Sequence, residues 1–291
     1  MINLVLPKGS LESSTLQLFS DADLPVRRSS DREYNAAIPD PRIGKVKILR
    51  PQEIAPAVQH GHFDLGITGH DWVLETASDV HEVMDLGYNR GGIAPAKIVL
   101  AVPGDSRAQK SEDLPPYSRI STEYLNLTRR YFEGIGLPVE ISLSYGATEA
   151  KIPELADAIV DLTETGASLR RAGFRIIGLL AETSTRLIAN KASWEDPVKR
   201  QEMEDLRTLL AGVLAARGKV LIKMNVPEER LQELISILPA AKSPTVSHLF
   251  GSSYYAVESV AIKSEINLLI PKLKQHGAED ILELPISKIV T

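Results

Sequence analysis

The most informative candidate site lies where an apolar run gives way to a short Thr- and Gly-rich loop before a helix. The run ends at Asp161, and the loop then supplies Thr163, Glu164, Thr165, Gly166, Ala167 and Ser168. Backbone N–H groups at the start of a helix bind anions, and neighbouring hydroxyls add donors. A glycine lets the backbone come close to a phosphate. The pattern indicates a phosphate-binding turn, although the same residues also suit an ordinary helix cap.

Two carboxylates occur at the strand that leads into this turn. Asp161, at the strand's end, can accept hydrogen bonds from two adjacent ribose hydroxyls or hold a magnesium ion that is bound to phosphate. Asp157 precedes it by four residues, and strand periodicity places both on one face. We therefore expect Asp161 to lie closer than Asp157 to a bound sugar.

Two more turns of similar type follow predicted strands. Lys8 opens one of them, where its ammonium can approach a phosphate, and the other contains Gly66, Thr68 and Gly69. Taken singly, the first suits a solvated lysine and the second suits ordinary turn chemistry. Three such turns at strand ends together suggest a cleft that receives several phosphates, with Arg50 as an outer positive charge.

Other chemistries are disfavoured by what the sequence lacks. It contains no cysteine, which excludes disulfides, thiolate nucleophiles and thiolate metal sites. The six histidines have no metal-ligand spacing, so we expect no metal site built by the protein alone. Neither a Gly-x-Ser-x-Gly elbow nor a Walker-type loop occurs. The net charge of −5 argues against nucleic acid as a partner.

These candidate residues require elements that alternate along the chain. Over the first 210 residues, short β-rich runs alternate with helical stretches, which is typical of an α/β fold with largely parallel sheets. We predict two lobes, one formed by 1–94 with 182–212 and the other by 95–181. This is a core like that of periplasmic binding proteins. Ligands of open α/β sheets bind beyond the carboxyl ends of the strands.

The last part of the chain has a different order of elements. Residues 213–291 predict a βαββαβ sequence, which is the ferredoxin-like unit. A module of this kind often senses small ligands, although a fold alone does not prove a function. Ser243, Thr245 and Ser247 place several hydroxyls at the start of a strand, where they suit either an effector pocket or a plain connecting loop.

No membrane segment is expected. The longest apolar runs fall short of the 18 residues of a membrane span. Met1–Leu6 is only of strand length and lacks the basic leader of a signal peptide. We therefore expect a cytoplasmic protein without a membrane partner.

Assembled, these segments resemble the long form of ATP phosphoribosyltransferase, the first enzyme of histidine biosynthesis. The resemblance runs nearly end to end, and its most specific part is Leu155–Leu169. The other matching segments are Leu6–Leu11, Ile48–Pro51, Asp64–Gly69, Ile120–Tyr124, Leu187–Lys191, Met224–Pro227, Ser243–Ser247 and Gly277–Ala278.

The resemblance implies a pentosyl transfer from phosphoribosyl pyrophosphate to N1 of ATP, with release of pyrophosphate. It places Asp161 and Asp157 near the ribose and Thr163–Ser168 around its 5′-phosphate. Lys8, Arg50 and the turn Gly66–Gly69 would face ATP or pyrophosphate. It further implies a magnesium requirement, feedback inhibition by histidine near Ser243–Ser247, and a homo-oligomer between dimer and hexamer.

One alternative from another class stays open. A two-lobed small-molecule binding or regulatory protein would suit the same pattern of lobes and tail. Such a protein would bind its ligand without turnover, so an assay of pyrophosphate release with both substrates separates the two.

Overall fold

The computed structural model describes residues 1–30, 32–88, 95–144, 146, 148–238 and 243–290. Within that part the chain forms two compact units, Met1–Arg207 and Thr208–Thr291. The strands are β1 (Ile2–Pro7), β2 (Asn35–Ala36), β3 (Ile43–Leu49), β4 (Leu65–Gly69), β5 (His81–Asp85), β6 (Ala96–Pro103), β7 (Ser118–Thr122), β8 (Val139–Leu143), β9 (Ala158–Thr163), β10 (Phe174–Thr183), β11 (Thr185–Ala189), β12 (Lys219–Pro227), β13 (Thr245–His248), β14 (Tyr254–Ile262) and β15 (Glu279–Pro285). The helices are α1 (Glu12–Asp21), α2 (Pro51–Gln59), α3 (His70–Thr76), α4 (Leu125–Gly134), α5 (Ala167–Arg171), α6 (Lys191–Glu195), α7 (Pro197–Ala216), α8 (Leu231–Ile237) and α9 (Ile266–Gln275).

The first sheet forms the core of one lobe. Its strands lie in the order β2-β3-β1-β4-β11-β5, and β1 runs parallel to both β3 and β4. Helix α2 packs directly on β4, because a Cβ added at Gly66 would lie 2.8 Å from a methyl of Val58 and 3.0 Å from methyls of Ile54 and Val5. Gly66 therefore allows the close packing of helix on sheet.

The second sheet forms the other lobe, with the order β10-β6-β9-β7-β8. Strand β7 runs parallel to β8 and β9, whereas β6 runs antiparallel to β9 and β10. Its core includes the buried side chains of Ile98, Leu100, Ile120, Phe132 and Val160.

The prediction of largely parallel sheets is wrong, because both sheets are mixed. Strand β11 begins at Thr185, which pairs with Gly69 at the carboxyl end of β4. In the same way Lys97, near the start of β6, pairs with Thr163 at the end of β9. A strand that arrives from the other lobe starts at the carboxyl edge of its new sheet, so it must run against the strands that end there.

The return between lobes is short. Strand β10 ends at Thr183 in the second sheet and β11 starts at Thr185 in the first, so the chain passes between them at Ser184. The sequence placed this return at residue 182. It did not predict the short strands β2 and β5, whose side chains are polar or only partly buried.

The C-terminal unit confirms the predicted βαββαβ order. Its strands lie in the order β13-β14-β12-β15, and every neighbouring pair is antiparallel. The strands and helices bury a common apolar core that includes Ile222, Met224, Leu234, Val257 and Leu273. Across the described residues, no helix combines the length and apolar character that crossing a membrane requires.

Candidate active site

A cleft in the first unit lies where strand ends of both lobes meet. Its lining residues are Ser10, Leu11, Pro51, Gly69, Asp71, Trp72, Leu162 and Thr185. They come from the turns after β1, β3 and β4, from the end of β9 and from the start of β11. The structure thus brings two of the turns singled out in the sequence, those after β1 and β4, to one cleft, and the strand β9 that leads into the third turn contributes Leu162. That they bind substrate stays a prediction.

The turn after β9 is shaped by a glycine and two threonines. Gly166 has a φ of +72°, and its N–H donates to Oγ1 of Thr163 at 2.9 Å. The N–H of Ala167 donates to Oγ1 of Thr165 at 3.4 Å. Neutral hydroxyls therefore hold the start of α5, and Thr165, Ala167 and Ser168 are exposed there.

Side chains also crowd this turn from one direction. A Cβ added at Gly166 would lie 2.8 Å from Nη1 of Arg170 and 2.9 Å from Cδ1 of Ile176. The same arginine donates from Nη2 to the carbonyl oxygen of Thr165 at 2.9 Å. Together with the positive φ, this crowding makes glycine the residue that the position requires.

Asp161 lies within β9, two residues before Thr163, and is half-buried. Its Oδ1 accepts a hydrogen bond from the N–H of Leu162 at 2.7 Å. The next residue, Leu162, lines the cleft. Asp161 therefore lies at the end of β9 that is near the cleft.

Asp157 does not join this group, although the sequence predicted a shared role. It lies just before β9, at the opposite end of the strand, and its Oδ1 accepts from Nη2 of Arg119 at 2.6 Å. Strands rise about 3.3 Å per residue, so four residues separate the two aspartates by about 13 Å. Hydrogen bonds from the Arg119 side chain, and then from its backbone N–H, hold the pKa of Asp157 below its usual value.

Lys8 and Arg50 lie at the starts of neighbouring turns. The N–H of Lys8 donates to the carbonyl oxygen of Leu49 at 2.7 Å, which places the turn after β1 beside the end of β3. The Nζ of Lys8 lies 4.3 Å from the centre of the Tyr34 ring. Arg50 is exposed and directly precedes α2, and its N–H donates to Oε2 of Glu53 at 3.2 Å.

The residues of the β4 turn have different positions. Gly66 lies in the core beneath α2, away from the cleft lining, so its position explains packing and not ligand contact. Thr68 is fully buried, and its Oγ1 donates to the carbonyl oxygen of Pro51 at 2.8 Å. Gly69 lines the cleft and precedes α3, where a larger residue would collide with the carboxylate of Asp71.

A buried polar group in the cleft wall was not found from the sequence. Asp71 is only 4% exposed, and its carboxylate accepts from the hydroxyl of Tyr124 at 2.8 Å and from that of Thr183 at 2.9 Å. Trp72 packs on Tyr124, with 5.0 Å between the ring centres. The sequence signal that could have indicated this residue is an Asp two positions after the Thr-Gly turn that precedes α3.

A second buried carboxylate joins the two lobes. Glu75 of α3 accepts from the N–H groups of Asn126 and Leu127, each at 2.9 Å, at the start of α4. The amide of Asn126 in turn donates to the backbone oxygen of Glu75 at 3.1 Å. A side chain from the first lobe therefore caps a helix of the second.

Comparison with known proteins decides the family. Residues 50–212 match the family model described as ATP phosphoribosyltransferase (HisG), and residues 216–288 match the one described as HisG, C-terminal domain. The chain belongs to the ATP phosphoribosyltransferase family. An ATP phosphoribosyltransferase from Chlorobium phaeovibrioides is 44% identical over 290 residues, covering 100% of this chain and 98% of the relative. One from Solidesulfovibrio magneticus is 45% identical over 291 residues, with 100% and 98% covered.

A solved ATP phosphoribosyltransferase has the same core. The ATP phosphoribosyl transferase (HisG:HisZ) complex from Thermotoga maritima contains a chain that is 26% identical, with a TM-score of 0.62. The match covers 72% of this chain and 96% of that chain. This family member thus has the fold of the shorter Thermotoga chain and continues beyond it into the C-terminal domain.

In that domain of the ATP phosphoribosyltransferase chain, the predicted effector residues lie at an edge of the sheet. Ser243 directly precedes Pro244 and β13, while Thr245 and Ser247 lie in β13, and all three are exposed. Thr245 pairs with Glu258 and Ser247 with Ala256 in β14. The hydroxyls of Thr245 and Ser247 are two residues apart and so share one face of the strand.

Within the described part of the chain, no group of three or more His, Asp and Glu side chains has an arrangement that could hold a metal ion. Magnesium is usually held by one or two carboxylates together with substrate phosphates, rather than by a complete protein cage. The donor set beside the β9 turn, with Asp161 and hydroxyls, fits a magnesium ion that arrives on phosphate.

Proposed function

We propose that this chain transfers the phosphoribosyl group of phosphoribosyl pyrophosphate to N1 of ATP and releases pyrophosphate. The observation that carries the proposal is the turn after β9 at the lobe junction. Helix α5 has no acidic residue in its first turn, and neutral hydroxyls line its start. The start of α5 favours an anion, because no carboxylate in the first turn of the helix itself neutralises the helix dipole.

The chemistry needs no covalent bond to the protein. The lone pair of adenine N1 forms a bond to the anomeric carbon while the bond from that carbon to pyrophosphate oxygen breaks. The bonding electrons leave with pyrophosphate, and the ribose carries positive charge as they do so. Two anionic substrates placed in line, together with charges that stabilise the separating groups, supply the catalysis.

Each candidate residue has a proposed part in that step. Asp161 accepts hydrogen bonds from the ribose hydroxyls and offsets the positive charge of the ribose. The turn Thr163–Ser168 holds the 5′-phosphate. Lys8 and Arg50 face the phosphates of ATP and pyrophosphate from the first lobe. Asp157 receives no such part, because Arg119 holds it at the far end of β9.

We propose that Mg²⁺ is required and is carried on the substrate phosphates, with Asp161 as an available protein ligand. The ion would supply positive charge to the departing pyrophosphate. This assignment follows the donor chemistry of the turn, since magnesium prefers oxygen ligands and keeps several of its waters.

The test of the function is release of pyrophosphate by the purified chain with both substrates and Mg²⁺. We expect release only when ATP and phosphoribosyl pyrophosphate are present together. Binding of either substrate without turnover would contradict the proposal and favour the two-lobed binding or regulatory protein. Control reactions that omit ATP, phosphoribosyl pyrophosphate or the enzyme detect pyrophosphate from other sources.

We also propose that the C-terminal domain binds histidine as a feedback inhibitor, with Ser243, Thr245 and Ser247 in or near its site. Exposed hydroxyls on one edge strand can donate to a carboxylate and accept from an ammonium group. Thr245→Val combined with Ser247→Ala should weaken inhibition by histidine about tenfold and leave the uninhibited rate unchanged. Undiminished inhibition in this double variant would place the effector elsewhere.

Assembly and location complete the proposal. We infer a homo-oligomer between dimer and hexamer, and a cytoplasmic enzyme of histidine biosynthesis. Light scattering after size-exclusion chromatography, with and without histidine, measures the first. A monomer at micromolar concentration under both conditions would contradict it.

A further inference from the structure

Thr185 carries a buried hydroxyl that forms no hydrogen bond with any of the described residues. The residue is fully buried at the start of β11, and Oγ1 has no hydrogen-bond partner among the described residues. Its backbone N–H is satisfied by the carbonyl oxygen of Tyr88 at 3.0 Å. Buried polar side chains nearly always have a partner, so an unpaired one calls for an explanation.

The surroundings of this hydroxyl suggest which partner it lacks. Thr185 lines the same cleft as Leu11, Trp72 and Leu162, whose side chains give it apolar walls. The charged residue among those that line the cleft is Asp71, and none of the described lining residues is Lys or Arg. A carboxylate without a neighbouring cation repels phosphate, so this part of the cleft does not suit the phosphates of either substrate.

A flat heterocycle with hydrogen-bonding edges fits the same lining. Aromatic and aliphatic walls bury its faces, while a few placed polar groups read its edge. Adenine offers an amino group that donates to an oxygen and ring nitrogens that accept from a hydroxyl. Each carboxylate oxygen of Asp71 already accepts one hydrogen bond from a hydroxyl. Each can accept a further hydrogen bond from an amino group.

We propose that Thr185 is a specificity-determining residue whose hydroxyl binds the edge of the purine base of ATP. The inference rests on the proposed function and adds to it the position of the base, at the junction of Gly69, Asp71 and Leu162. The cleft has a volume of about 20 Å³ in this structure, room for about one water molecule. A purine base needs more room than this, so the proposal requires the space between Thr185 and Leu162 to widen when ATP binds.

The experiment measures ATP binding by calorimetry in the full chain and in Thr185→Val. Valine keeps the β-branched shape and removes the hydroxyl. We expect ATP affinity to fall about 3- to 10-fold, as for the loss of one hydrogen bond, while the KM for phosphoribosyl pyrophosphate stays unchanged. The melting temperature without ligand should stay level or rise, because an unpaired buried hydroxyl has been removed.

Two further variants separate base recognition from a structural role. Thr185→Ser retains the hydroxyl and should recover most of the ATP affinity. Thr128 of α4 is also fully buried with an unpaired Oγ1 but does not line the cleft. Thr128→Val should therefore behave like Thr185→Val in melting and like the unmodified chain in ATP binding.

Inosine triphosphate identifies the edge that is read. A loss in Thr185→Val for ATP alone assigns the edge formed by N1 and the amino group, because inosine has N1–H and a carbonyl there. An equal loss for both nucleotides assigns N3 or N7, which accept in both bases. Unchanged ATP affinity in Thr185→Val overturns the inference and leaves the hydroxyl paired with water only. This result is independent of the proposed function, which fails instead if the unmodified chain binds ATP but releases no pyrophosphate.

Discussion

Helices α4 and α5 begin in the same lobe but satisfy their first N–H groups in different ways. At α4, the carboxylate of Glu75 from the other lobe accepts from Asn126 and Leu127, and the whole contact is buried or partly buried. At α5, the threonine hydroxyls of the turn accept, and the first residues of the helix are exposed. One helix start is closed by an anion of the protein, whereas the other is held by neutral groups.

This contrast separates a helix start with a structural role from one that is available to a ligand. A carboxylate at a helix N-terminus uses the favourable field of the helix dipole and satisfies its donors. Glu75 therefore stabilises the contact between lobes. Where hydroxyls replace the carboxylate, the field still favours an anion from outside, and phosphate is the anion that the family's substrates carry.

The largest expected effect comes from removing the internal anion. Glu75→Ala leaves two N–H groups of α4 without their acceptor in a buried contact and creates a cavity. We expect the free energy of unfolding of the first unit to fall by about 2–4 kcal/mol. Urea unfolding followed by the fluorescence of Trp72 and Trp194 measures it.

Glu75→Gln is the matched control, because it keeps one acceptor oxygen and loses the charge. Its loss should be clearly smaller than that of the alanine variant. Equal stability of Glu75→Ala and the unmodified chain would show that the closed helix start adds nothing to the contact between lobes.

The next effect concerns catalysis and should leave stability intact. Asp161→Asn keeps the size of the side chain and removes its charge beside the ribose. We expect kcat to fall about 100-fold, the scale seen when one preorganised electrostatic contact to a transition state is lost. The melting temperature should stay within error of the unmodified chain.

Steady-state kinetics with both substrates varied provide the measurement. A change confined to melting, with kcat unaltered, would make Asp161 structural. The start of α5 would then be structural, as the start of α4 is, and the proposed difference between the two helices would be lost.

The local features of this fold were accessible from the sequence, and the long-range ones were not. The β9–α5 turn can be recognised in one short segment, because Asp161, Thr163, Thr165 and Gly166 all lie within it. Asp71 instead meets Tyr124 and Thr183, which are 53 and 112 residues away. No periodicity encodes which distant side chains will meet across two lobes. Arg119 and Asp157 likewise pair across 38 residues, which strand alternation alone does not reveal.

A smaller effect is expected at the glycine of the open turn. In Gly166→Ala, the positive φ and the approach to Arg170 and Ile176 force the turn to shift. We expect the KM for phosphoribosyl pyrophosphate to rise about tenfold and the KM for ATP to change little, since the 5′-phosphate is held there. Gly87→Ala, at another positive φ with open space around it, controls for backbone strain alone. Equal rises in both KM values would argue against a phosphate-specific turn.

The smallest effect is expected at Asp157, which tests whether position along β9 decides function. Asp157→Asn removes the charge that pairs with Arg119, but both side chains are more than 40% exposed. Exposed ion pairs contribute little because water and salt screen them. We expect kcat and both KM values at the unmodified level, with a slight fall in melting temperature that 1 M salt abolishes. The matched pair Asp157→Asn and Asp161→Asn removes the same charge from two points along one stretch of chain, so a shared loss of kcat would contradict the idea that position along β9 decides function. A loss of kcat in Asp161→Asn alone would place the reaction at the end of β9 that leads into α5.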